Sequence, residues 1–114
     1  RIRKKKIFKG ILMIVYVDID GTICHLTDSA NYEKAEPIQK NINKINGLYD
    51  EGHTVVYWTA RGTVTQVDWL DRTKKQLLQW GVKSHDVRVG KPYYDLFIDD
   101  RAINAEEYFK NDDT

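Results

Sequence analysis

The 114-residue sequence predicts a single α/β domain built on a parallel sheet. Three observations carry this. Residues 12–17, LMIVYV, are an unbroken apolar run rich in β-branched side chains, the pattern of a strand buried on both faces. Short β-rich runs then alternate with segments of helical period, which argues for parallel strands joined by helical crossovers. Finally, every predicted strand ends in polar or charged residues, as ligand-binding α/β sheets do beyond the carboxyl ends of their strands.

The elements follow in order. The first strand runs out at Asp18 and Asp20, and residues 21–36 have no period, so they form a loop. Pro37 suits the first turn of a helix whose apolar stripe is Ile38, Ile42, Ile45 and Tyr49, with Gly52 at its end. Residues 53–59, HTVVYWT, make the second strand. Thr65 can cap a second helix, with Asp68 in its first turn, running to Trp80 and closed by Gly81. DVRV at 86–89 is a weak third strand, DLFID at 95–99 a fourth, and residues 104–110 a last short helix.

The totals exclude some classes. No apolar run is long enough to span a bilayer, so no membrane partner is expected. A lone cysteine, Cys24, allows no internal disulfide, which predicts a cytoplasmic location. Cys24 and His25 do not make a structural zinc site, because His53 and His85 lie far off in sequence. Residues 1–10 hold six of the 18 basic residues and no acid, a basic tail or linker ahead of a domain over 11–114 that is left acidic. The chain begins with arginine, so the tail could lead in from an upstream domain of a longer protein.

The strand ends define a chemistry. Strand one delivers Asp18 and Asp20; strand two delivers Thr59, with Arg61 close behind. Lys91 follows strand three, and strand four delivers Asp99 and Asp100. Carboxylates from neighbouring strands suit Mg²⁺, which takes a few carboxylates together with water and substrate phosphate. A hydroxyl, a lysine and an arginine opposite them would hold phosphate oxygens. Arg61 reads equally as a phosphate contact or as a surface-loop residue. With no serine–histidine pattern and no activated cysteine, a carboxylate is the natural nucleophile of a phosphoryl transfer.

DIDGT, WTARG, GKP and IDD, in that order, resemble the four motifs of the haloacid dehalogenase superfamily of phosphatases and phosphotransferases, over about residues 12–105. The resemblance implies a Rossmann-like three-layer sandwich with a mostly parallel sheet. It makes Asp18 the nucleophile and a Mg²⁺ ligand, and Asp20 the general acid/base and a ligand through its backbone carbonyl. Thr59 and Lys91 would hold phosphate, while Asp99, with Asp100 as ligand or support, would complete the metal site. Many members carry a cap domain inserted after the first motif or between the second and third, and the gaps here, residues 22–37 and 62–90, leave no room for one. Capless relatives take large substrates or close their sites by oligomerising, and the apolar face carrying Trp69 and Trp80 suits a homo-oligomer. INGLYDEGH and KPYYDLFIDDRAIN look like small phosphatases linked to bacterial surface-polysaccharide synthesis. That implies a sugar, polyol or sugar-acid phosphate as substrate. The competing readings are a nucleic-acid 3′-end phosphatase and a non-catalytic interaction module.

Overall fold

The computed structural model describes residues 10–110, so the basic tail falls almost wholly outside the described residues. Strand β1 (Ile14–Val17) leads through two short 3₁₀ turns, Asp28–Ala30 and Tyr32–Lys34, to helix α1 (Gln39–Asp50). Strand β2 (Thr54–Trp58), helix α2 (Leu70–Gln79), strand β3 (Asp86–Arg88) and helix α3 (Ala105–Phe109) follow. The strands form one parallel sheet in the order β1-β2-β3, with Val15 opposite Val55 and Tyr57 opposite both Val17 and Val87. The fold is the expected α/β arrangement, with helices joining parallel strands.

The two-residue period of a strand puts Val15, Val17, Val55, Tyr57 and Val87 on one face. They share a core with Ile42, Ile45 and Leu48 of α1, Leu77 of α2 and Phe109 of α3. Each fully buried Ile or Leu here contributes roughly 1.5–3 kcal/mol. The opposite face is not covered as the all-apolar run of residues 12–17 suggests: Ile14 is 73% and Tyr16 50% exposed. There Tyr16 meets Trp58 edge to face and accepts a hydrogen bond from Arg88 Nη1.

Three sequence expectations are corrected. Helix α2 starts at Leu70 rather than Thr65, because Gln66 takes a left-handed φ of 67° and its N–H donates to Gly62 in a turn. The Asp68 carboxylate, not Thr65, accepts from the first helical N–H, that of Leu70. Residues 95–99 form no strand, and residues 92–104 are exposed throughout, including Leu96 and Ile98. A strand-like apolar pattern supplies side chains but not a ladder partner, and among the described residues β1 pairs along one edge only. The last helix is as read, with Asn104 accepting from Glu106 N–H as its N-cap.

Candidate active site

The site is built where β1 and β2 end. Beyond Val17 the chain turns tightly: Thr22 and Ile23 N–H both donate to the Ile19 carbonyl, and Gly21 takes a φ of 83°. The buried Ile19 anchors this turn, leaving Asp18 and Asp20 on its open side. At the end of β2, Thr59 N–H donates to the Arg88 carbonyl, and the Thr59 carbonyl accepts from Lys91 N–H. That second bond, with a φ of 88° at Gly90, swings the chain back toward β1. Lys91 Nζ thereby comes to 3.3 Å from Asp18 Oδ1.

Asp18, Asp20, Thr59, Arg61 and Lys91 all line one open depression of about 420 Å³, walled by Leu26, Tyr32, Tyr93 and Tyr94. This is the size range of small-molecule sites. Burial raises the proton affinity of Asp18, outweighing the pull of the Lys91 ammonium, and the charge of Asp20 pushes the same way. Burial also opposes the charge on Lys91, but its hydrogen bond to Tyr94 and the attraction of Asp18 hold its proton more firmly than usual.

Arg61 is placed differently from either sequence reading. It is 2% exposed, so it is not a surface-loop residue, and its side chain is engaged by partners within the chain. Its Nε and Nη2 donate to the two carboxylate oxygens of Asp20, both at 2.9 Å. Its Nη1 donates to Thr73 Oγ1 at 3.2 Å and Gln76 Oε1 at 2.8 Å, and its guanidinium carbon lies 4.8 Å from the Tyr32 ring centroid. Cys24 Sγ also donates to Asp20 Oδ1 at 3.4 Å. Burial and the Asp20 charge push the Cys24 thiol up to about 12, which removes it as a nucleophile.

Asp99 and Asp100 do not reach the depression. Both are exposed; Asp99 accepts from Arg101 N–H, and Asp100 lies 3.9 Å from the Arg101 guanidinium. Among the described residues no group of three His, Cys, Asp or Glu side chains is placed to hold a metal ion. The Mg²⁺ ligand set expected from the sequence does not assemble here. Asp18 presents a carboxylate to the depression, but Asp99 and Asp100, the other carboxylates expected to ligate, stand on the exposed 92–104 segment.

Sequence reasoning missed Thr73 and Gln76. Both are polar residues on the inward side of a helix otherwise contributing Leu77 to the core, an interruption that could have flagged them. The helix face proposed for oligomerisation is partly used within the chain. Trp69 meets Tyr32 edge to face at 5.0 Å and takes the Arg72 guanidinium over its ring, while Trp80 packs against the core.

Neither a family model nor a curated protein sequence matches the chain. A crystal structure of a structural-genomics target from Vibrio cholerae is similar to it, with 26% identity and a TM-score of 0.76. The match covers 86% of this chain and 87% of that one, and the description of that protein states no activity. It supports the α/β fold over nearly the whole chain. No helix among the described residues is long and apolar enough to cross a membrane.

Proposed function

We propose that the chain is a phosphomonoesterase of the haloacid dehalogenase type, acting through an aspartyl-phosphate on a small phosphorylated sugar, polyol or sugar acid. The observation that carries this reading is the convergence of Asp18, Thr59 and Lys91 on one depression at the strand ends. Those three supply a carboxylate nucleophile, a hydroxyl donor and an ammonium, the parts that phosphoryl transfer needs. The substrate class rests on the resemblance in sequence alone.

In the first step an Asp18 oxygen attacks phosphorus, the ester P–O bond breaks, and the leaving oxygen takes a proton that the Asp20 carboxylate relays from the substrate's phosphate monoanion. Burial makes the Asp18 carboxylate more basic and so a better nucleophile. Lys91 offsets the repulsion between that carboxylate and the phosphate. The Thr59 hydroxyl oxygen accepts from Arg61 N–H, leaving its own proton to donate to a phosphoryl oxygen. In the second step water attacks the aspartyl-phosphate and gives a proton to Asp20, which passes it to the departing inorganic phosphate; both carboxylates are restored. Three donors occupy the Asp20 carboxylate, which has about four lone-pair positions, so one remains on Oδ2 for the proton in transit.

The involvement of Mg²⁺ rests on the sequence resemblance, without support from the placement of Asp99 and Asp100. A cytoplasmic location belongs to the same proposal, as does a homo-oligomer using the exposed Leu78 and Val67. Phosphate release from a panel of sugar, polyol, sugar-acid and nucleotide phosphates and a 3′-phosphorylated oligonucleotide, with Mg²⁺ or EDTA, tests the reading. Turnover of a small carbohydrate phosphate, abolished in Asp18→Asn, is the expected result. A preference for the oligonucleotide would move the substrate to nucleic-acid ends. Turnover surviving within about tenfold in Asp18→Asn would overturn the nucleophile.

A further inference from the structure

One side chain outside the strand-end motifs touches both the proton-handling pair and the loop that walls the site. Gln76, on α2, accepts from Arg61 Nη1 at 2.8 Å through Oε1 and donates to the Tyr32 carbonyl at 2.9 Å through Nε2. The orientation of its amide is fixed by its partners, because a guanidinium can only donate and a carbonyl can only accept. Tyr32 in turn lies over Arg61 and against Trp69, and it lines the depression beside Asp18 and Asp20. Arg61 carries Asp20 through two bonds of 2.9 Å, with Thr73 as its remaining acceptor.

We propose that Gln76 is a positioning residue that fixes, through one amide, both the Arg61 guanidinium that aims Asp20 and the loop backbone that overhangs the substrate. The inference rests on the phosphatase reading and deepens it. Seating a substrate under Tyr32 and aligning the proton donor become one event rather than two.

Gln is required for the double role. Leucine would fill similar space with neither hydrogen bond. Glutamate would keep an acceptor for Arg61, lose the donor to the Tyr32 carbonyl, and set a second carboxylate competing with Asp20 for the same guanidinium. A misaligned proton donor has a distinctive kinetic signature. An alkyl phosphate expels an alkoxide that needs the proton, whereas p-nitrophenyl phosphate expels a phenolate that leaves without one. Positioned acid–base catalysis typically contributes about 10²–10⁴-fold, and Gln76→Leu removes part of it.

The test compares kcat/KM, which reports the first, leaving-group-dependent step and not the hydrolysis of the shared aspartyl-phosphate, for an alkyl phosphomonoester and for p-nitrophenyl phosphate in wild type, Gln76→Leu and Gln76→Glu. The expected result is a loss on the alkyl ester at least about tenfold larger than the loss on p-nitrophenyl phosphate, in both variants. Equal losses on the two substrates, or no loss, would overturn the inference. If Gln76→Leu fails to fold, the near-isosteric Gln76→Glu decides alone. If wild type hydrolyses neither ester, the phosphatase reading fails, and hydrogen exchange decides the structural claim separately. Gln76→Glu should then speed amide exchange in both residues 27–35 and the turn at 20–23; acceleration in only one of them would refute the coupling.

Discussion

Replacing Arg61 with methionine keeps most of the side-chain length and removes the charge. Four hydrogen bonds disappear: two to Asp20, one to Thr73 and one to Gln76. The larger effect is on what remains, since the Asp20 side chain is 18% exposed and loses its counter-ion. Breaking a buried pair by deleting one partner costs about 3–5 kcal/mol. The partial exposure of Asp20 puts this case near the lower end, at about 3 kcal/mol. At roughly 4 °C per kcal/mol for a domain of this size, the melting point should fall by about 12 °C. Deleting both partners, as in Arg61→Met with Asp20→Leu, orphans no charge and should recover about 2 kcal/mol of the summed single losses. Urea unfolding of wild type, both single variants and the double variant at neutral pH closes the cycle. A loss below about 1 kcal/mol for Arg61→Met, or simple additivity in the double variant, would refute the buried-pair argument.

Other substitutions probe the same region. Asp18 binds its proton more readily folded than unfolded, so its contribution to stability is best at low pH. That contribution declines as pH rises from the ordinary carboxylate value, about 3.9, through the raised folded one. Asp18→Asn should therefore raise the thermal midpoint at neutral pH while abolishing turnover, and a lower midpoint would contradict the burial effect. Tyr57 is fully buried with no hydrogen-bond partner for its hydroxyl among the described residues, so Tyr57→Phe should stabilise by about 1 kcal/mol in denaturant titration. Gly62 takes a φ of 84°, and an added Cβ would collide with the Val67 carbonyl. Gly62→Ala should cost at least about 2 kcal/mol and lower turnover, because the turn it closes follows directly on Arg61.

Much of this was legible in the chain because the signals were local. The 12–17 run, the VVY of β2 and the Ile38-Ile42-Ile45 stripe each declare their element within a few residues. Asp18, Thr59 and Lys91 meet because parallel strands put their carboxyl ends on one edge, which topology alone predicts. The Arg61–Asp20 pair joins residues 41 apart, and nothing beside Arg61 distinguishes a buried guanidinium from a loop arginine. Gln76 was hidden for a similar reason, since its partners lie 15 and 44 residues away. Residues 95–99 show the opposite failure. Consecutive Leu96, Phe97 and Ile98 match the short apolar run of a buried strand, but the ladder depends on a partner that local sequence does not name.

The two ion pairs at the strand ends have a kinetic corollary. Asp18 faces Lys91 and Asp20 faces Arg61, so the four formal charges cancel over a few ångströms. A set of charges with no net monopole has a field that dies away quickly, and little of it extends past the roughly 8 Å screening distance of physiological salt. Such a basin neither draws in an anionic ester from afar nor repels it. Capture would be governed by diffusion and fit, and kcat/KM should be nearly flat against ionic strength, in contrast to enzymes that gather their phosphates with an open cationic funnel.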